Sequence, residues 1–161
     1  MLTVIKIAIK VCKKNKDIKF VFIGDGRLFE KSRNMVKSAN LLDRILLPGW
    51  QANVIEWLSN FNVFLLYSKW EGLHVSILEA MSVGLPIVAS NISGNNELVK
   101  DSNGYLISIN DVDKLEDILL SLPSKKSELK LKGENSLSII KNKYSLKKFI
   151  ANYEKLYEEV T

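Results

Sequence analysis

Asn62–Ser90, NVFLLYSKWEGLHVSILEAMSVGLPIVAS, reads as strand, loop, helix, turn and strand. Asn62–Leu66 and Ile87–Ser90 are apolar on both faces. Residues 76–83 between them carry helical spacing and stop at Gly84 and Pro86, residue types that end helices. Strands with no alternating polar face, joined through helices, predict a parallel sheet covered on both sides.

The pattern extends outward in both directions. Towards the start, residues 2–14 read as a helix, Lys19–Gly24 as a buried strand, residues 27–40 as a helix and Arg44–Leu47 as a strand. Pro48-Gly49 breaks the pattern, and a short helix follows at 52–59 with Val54, Ile55 and Leu58 expected to face inward. Beyond Ser90, Gly104–Ile107 carries the last strand, and helices are expected at 111–121, 125–142 and 146–159. Gly24-Asp25-Gly26, Gly84-Leu85-Pro86 and Asn103-Gly104 supply turn residues between elements. The length suits one domain, a sheet region over 1–110 followed by helices over 111–161. The expected class is α/β: a doubly wound, Rossmann-like parallel sheet of about five strands. Such a fold normally opens on a strand and this chain opens on a helix, so the first strand is expected to be missing. Cys12 falls on one helical face with Leu2, Ile5, Ala8 and Ile9, a core stripe. Phe149, Tyr153, Leu156 and Tyr157 stripe the last helix and read as core or docking surface.

Composition narrows the function classes. A hydrophobic share of 47% beside 25% charged residues is that of a globular protein and excludes disorder. No apolar run approaches the roughly 18–20 residues that cross a bilayer. Lys6 and Lys10 interrupt the opening apolar run and no small-residue cleavage site follows, so it is no signal peptide. A cytoplasmic location is expected, including the inner face of the membrane. One cysteine allows no internal disulfide, and one cysteine with one histidine speaks against a metal site. The net charge of +5 fits a polyphosphate ligand, peripheral contact with an anionic membrane, or simply a solvated Lys-rich surface. No zinc finger, RRM signature or basic-aromatic stripe points to nucleic acid. Phe29 occupies the third glycine position of the Gly24-Asp25-Gly26 turn, so a nicotinamide dinucleotide fingerprint is not supported.

In open parallel sheets ligands sit at the carboxyl ends of the strands. Three loops qualify: 24–27, 67–76 and 90–97. In the middle one, Gly72 lets backbone approach a ligand without a Cβ in the way. The helix starting near Ser76 turns unpaired N–H groups and its positive dipole end to the crevice, a setting that attracts phosphate. Glu71 precedes this helix and Glu79 is expected in its first turn. Carboxylates there accept hydrogen bonds from sugar hydroxyls. Ser76-Ile77-Leu78-Glu79 equally matches a capping box, with Glu79 turned back to the Ser76 N–H.

The stretch WEGLHVSILEAMSVGLPIVAS resembles the donor-binding signature of GT-B glycosyltransferases of family 4, the "group 1" type: Glu71-x7-Glu79, Ala80-Met81, Gly84-Leu85-Pro86 and Ile87-Val88-Ala89-Ser90. Phe22-Ile23-Gly24-Asp25-Gly26, Leu47-Pro48-Gly49-Trp50, Gly94-x-x-Glu97-Leu98-Val99 and Asn103-Gly104 extend the likeness over about residues 1–157. The resemblance implies the C-terminal, donor-binding half of a GT-B fold. It implies transfer of a sugar from a nucleoside diphosphate to a hydroxyl of a glycan or lipid-linked acceptor, with retention and no essential metal or cofactor. The catalytic position falls on Glu71, which would contact the transferred sugar. Glu79 would bind ribose hydroxyls. Gly72 and the backbone amides of Leu73, His74 and Val75 would meet the diphosphate; His74 reads equally as an exposed loop residue. Gly49, Trp50 and Gln51 would lie beside the base, Gly24 would let the chain pass close to the donor, and Glu97 would sit at the pocket edge.

The chain departs from the pattern at its start. The opening strand, the Arg-x-Lys-Gly segment that clamps the diphosphate and the amino-terminal acceptor-binding domain are not found before Leu2. Little transfer is therefore expected from these residues alone. Two rival readings stand beside this one: a non-catalytic nucleotide-sugar-binding subunit working with a separate chain, and a GT-B sugar-nucleotide 2-epimerase, which the Glu-Ala-Met block fits poorly.

Overall fold

The computed structural model describes residues 1–70 and 75–160, the side chain of Val160 excepted. Its elements are α1 (Leu2–Lys14), β1 (Phe20–Ile23), α2 (Phe29–Ser38), β2 (Ile45–Gly49), α3 (Val54–Leu58), β3 (Phe64–Leu66) and α4 (Val75–Ser82). There follow β4 (Ile87–Ser90), α5 (Asn95–Leu98), β5 (Gly104–Ile107), α6 (Val112–Ser121), a 3-10 turn (Leu122–Ser124), α7 (Lys126–Lys143) and α8 (Leu146–Val160).

All strand pairs are parallel, as apolar strands alternating with helices require. They form two ladders, β1-β2 and β3-β4-β5. In the larger one, Phe64, Leu65 and Leu66 lie opposite Ile87, Val88 and Ala89, and Ile87–Ser90 lie opposite Gly104–Ile107. β4 is buried along its whole length, while β1 and β3, each paired on one side only, are half-buried.

Side chains of β4 divide between two cores. Ile87 and Ala89 join Ile77, Ala80 and Met81 of α4 with Leu98. Val88 joins Ile107, Leu115 and Leu119, with Ile7 and Val11 of α1. This two-sided covering is the doubly wound arrangement. Phe20 of β1 and Leu65 of β3 pack on the second cluster, so α1 spans the place where the ladders meet. Ile5, Ala8 and Cys12 of α1 make a third cluster with Val36, Leu41 and Ile45. The cysteine is thus the core residue its helical face predicts.

Arg44 locks α1 to this layer. Its guanidinium donates to the carbonyls of Cys12 (2.6 Å) and Asn15 (2.5 Å), at the end of α1 where carbonyls lack intrahelical partners, and to that of Ile18 (2.7 Å) in the following loop. At the other side α7 closes on the turn after α4. Ser136 Oγ donates to the Leu85 carbonyl at 2.8 Å, and Gly133 lies against Gly84.

Several elements differ from the sequence reading. Pro48-Gly49 does not end β2: Gly49 pairs with Ile23 beyond an irregularity. Among the described residues β2 pairs only with β1, and on its open side a proline costs no ladder bond. Ile55 is 41% exposed rather than inward, because α3 is so short that only Val54 and Leu58, one turn apart, reach the core. α5 has no counterpart in the expected elements, since four residues are too few to show a period. The apolar stripe of α8 is exposed, and the helix enters none of the three clusters.

Candidate functional site

The loop between β3 and α4 carries most of the expected site. Glu71, Gly72, Leu73 and His74 lie outside the described residues. Val75 opens α4 and is exposed, and its N–H is one of the four that a helix start leaves without an intrahelical acceptor. Because the helix begins at Val75, Glu79 sits in the second turn and not the first, and Ser76 lies inside the helix instead of capping it. The capping box is not formed: the carboxylate of Glu79 makes no hydrogen bond or ion pair among the described residues. Ile77, Ala80 and Met81 are buried in the core while Glu79 stays half-buried. Helical spacing thus leaves a carboxylate near the amino end of α4 that no described side chain or backbone group engages.

A second group gathers where β1 and β2 end. The Gly24 N–H donates to the Gly49 carbonyl at 2.8 Å, joining two of the expected donor-binding residues. Both glycines take positive φ, +120° and +79°, which side chains other than glycine adopt rarely. A Cβ built on either would meet no atom within 4 Å, so backbone conformation and not packing calls for glycine here. Trp50 is 68% exposed beside this turn. Gln51 is engaged within the fold: its Nε2 donates to the Pro48 carbonyl at 3.1 Å, and its Oε1 accepts from Trp57 Nε1 at 3.3 Å. Its side chain therefore braces the turn.

The third group follows β4. Gly94 takes a φ of +84° and leads into α5, on which Glu97 is exposed. α5 packs against α4, which brings Glu97 and Glu79 onto neighbouring helices. Three polar residues not singled out in the sequence lie here: Ser68, Ser90 and Asn95. Ser90 and Asn95 are fully buried. The available signals were Ser90 at the end of Ile87-Val88-Ala89-Ser90 and Asn95 inside the Gly94-x-x-Glu97 segment, and the burial of both is invisible without the fold.

Two open surface grooves lie elsewhere. One, of about 760 Å³, is lined by Ile9, Lys13, Lys31 and Met35 between α1 and α2. The other, of about 480 Å³, is lined by Lys10, Lys14, Glu116 and Asp117 between α1 and α6. Neither includes an expected donor residue. Among the described residues no group of three or more His, Cys, Asp or Glu side chains could hold a metal, and no helix is long and apolar enough to cross a membrane.

Comparison with known proteins bears on this geometry. Residues 2–153 match the family model described as "Glycosyl transferases group 1". The chain is 38% identical over 143 residues to the UDP-Gal:alpha-D-GlcNAc-diphosphoundecaprenol alpha-1,3-galactosyltransferase of Escherichia coli, covering 88% of this chain and 37% of that protein. Among solved structures, it superposes on a mutant of S. aureus TarM in complex with fondaparinux, alpha-GlcNAc-glycerol and UDP. That likeness has a TM-score of 0.87 at 27% identity and covers 96% of this chain and 32% of that one. A further match is the C-terminal domain of a glycosyl transferase group 1 family protein (LpcC) from Francisella tularensis. Its TM-score is 0.80 at 25% identity, over 89% of this chain and 78% of that one. This chain therefore spans little more than a third of its curated relative but most of an isolated C-terminal domain. The family match, the two-faced parallel sheet and the likeness to that isolated domain lead to one conclusion: the chain belongs to the glycosyl transferases group 1 family and has the fold of the C-terminal, Rossmann-like half of a GT-B glycosyltransferase.

Proposed function

We propose that this chain holds the nucleoside-diphosphate sugar in a glycosyltransferase that passes the sugar, with retention, to a hydroxyl of a glycan or lipid-linked acceptor. The observation that carries the reading is Glu79. It is half-buried one turn into α4, on a helix that follows a parallel strand, and no described group engages it. A carboxylate so placed accepts from the ribose hydroxyls. The Val75 N–H at the start of α4 faces the diphosphate, the expected backbone contacts of Gly72, Leu73 and His74 join it there, and Glu71 contacts the transferred sugar. As the bond from the sugar to the diphosphate breaks, charge builds on the leaving group, and a helix amino end stabilises it there. Gly24, Gly49, Trp50 and Gln51 form the turn beside the base, and Glu97 borders the pocket.

The similar Escherichia coli protein is named for UDP-Gal and a diphosphoundecaprenol-linked acceptor, and the similar S. aureus structure contains UDP. Both support a uridine nucleotide, and the first supports a lipid-linked acceptor. The reading calls for no metal and no cofactor besides the donor. It calls for an amino-terminal acceptor-binding domain as partner, and for work on the cytoplasmic side, where the excess of lysines meets an anionic membrane surface.

The test is calorimetric titration of UDP and GDP into the wild type and Glu79→Ala. Loss of a hydrogen bond to a charged group predicts binding weaker by about 10- to 100-fold for the preferred nucleotide. Equal affinity of the two proteins would remove the ribose assignment.

A further inference from the structure

At the exit of β3 a closed hydrogen-bond network replaces the ladder. The register between β3 and β4 runs to Leu66 and Ala89. Two residues on, the Ser90 hydroxyl donates to the Ser68 carbonyl at 2.7 Å and accepts from the Ser68 N–H at 3.2 Å, so one side chain supplies both rungs. Asn95 Nδ2 donates to the Ser90 carbonyl at 2.9 Å and to Ser90 Oγ at 3.3 Å. A hydroxyl has one donor and two acceptor positions, and all three are used here; both Nδ2 protons are used as well.

Ser90 and Asn95 are both 0% exposed. A buried polar network of this kind specifies one geometry and is costly when half satisfied. Two oxygens remain over: Asn95 Oδ1 and Ser68 Oγ are buried and have no partner among the described residues. A network serving only to hold strands together has no use for spare hydrogen-bonding groups, because a buried one left unmade costs stability.

We infer that Ser90 and Asn95 are positioning residues for donor binding, acting through Ser68 to set where the chain leaves β3 on its way to α4. The inference rests on the donor-binding reading above and names residues that reading does not use. Ser90 belongs to β4 and Asn95 to α5, so a contact formed after the turn at Gly94 reaches back to Ser68, two residues beyond β3.

The experiment measures UDP or GDP affinity by calorimetry, and melting temperature in parallel, for wild type, Ser90→Ala, Asn95→Ala, Ser90→Thr and Asn103→Ala. Titrations run well below every variant's melting temperature. Asn103 is the matched control. It is equally buried, accepts from the Lys100 N–H at 2.7 Å and donates to the Leu98 carbonyl at 3.1 Å, but precedes β5 at the opposite end of the ladder.

Ser90→Ala and Asn95→Ala are expected to weaken nucleotide binding about five- to tenfold, the worth of one well-made hydrogen bond. Ser90→Thr, which keeps the hydroxyl, should stay within about twofold of wild type, and Asn103→Ala should lower the melting temperature without weakening binding. Wild-type affinity in both alanine variants, or a loss no larger than in Asn103→Ala, overturns the inference alone. The variants are titrated with whichever of UDP and GDP the wild type prefers, and a wild type that binds neither overturns the donor reading and this inference with it.

Discussion

Gly133 lies inside α7, where alanine is ordinarily the better residue by about 1 kcal/mol. Here a Cβ would come within 2.2 Å of the Gly84 carbonyl oxygen, a backbone atom held by the turn after α4. The sign therefore reverses. Gly133→Ala is expected to destabilise the fold by about 1–3 kcal/mol, the cost of overpacking, seen as a lower melting temperature by calorimetry. A gain in stability would mean that α7 does not lie on that turn. A motif that lies along one stretch of chain, such as the Glu71-x7-Glu79 spacing, is legible in the sequence. Gly133 was not, since nothing near it in the chain announces Gly84.

α8 shows how an element can be read from the sequence while the choice between core and docking surface waits for the fold. Its apolar stripe is plain in the sequence, and the helix forms over Leu146–Val160. Yet Leu146, Phe149, Ile150, Tyr153, Leu156 and Tyr157 are between 47% and 73% exposed. Its charges also run against its dipole: Lys147 and Lys148 stand in the first turn, Glu158 and Glu159 in the last. A 15-residue helix with an uncovered apolar face is marginal in water and gains most from being covered. The chain should accordingly associate as concentration rises, since an exposed apolar patch of this kind drives contact. Phe149→Glu combined with Tyr153→Glu should shift sedimentation towards the monomer. An unchanged sedimentation profile for the double variant would place the association elsewhere.

Across the whole molecule, Glu116 ties the helical half to the opening helix. Its carboxylate is 7% exposed on α6 and pairs with Lys14 at 2.7 Å and Lys10 at 3.6 Å on α1. The hydrogen bond from Lys14 holds the Glu116 carboxyl below its ordinary value of 4.5, against the opposing effect of burial. The same bond raises Lys14 above 10.5. A lowered carboxyl contributes stability that is complete above its unfolded value and is lost as pH falls through its folded value; the raised lysine loses its share only as pH rises through its own. Melting temperature should therefore fall as pH drops below about 4.5. Glu116→Gln should melt lower than wild type at neutral pH and show a shallower acid slope. Glu128, lowered chiefly by the hydrogen bond from the Tyr105 hydroxyl, keeps part of that slope. An acid limb as steep in the variant as in the wild type would assign the dependence to other carboxylates.

The sequence by itself determined the alternation of apolar strands and helices, the parallel sense of the strands, the glycine turn after β1, and the acid-glycine-helix segment that relates the chain to its family. Each rests on local rules: side-chain period, turn residues and spacing along one helix. Tertiary structure alone decided that the described strands form two ladders, that Ile55 turns outward, that Gln51 braces its own turn and that α8 enters none of the core clusters. It alone brought Asn95 onto Ser90 and Ser90 onto Ser68, 22 positions back along the chain. Such contacts depend on where distant segments meet, and a buried hydroxyl or amide is written with the same letter as an exposed one.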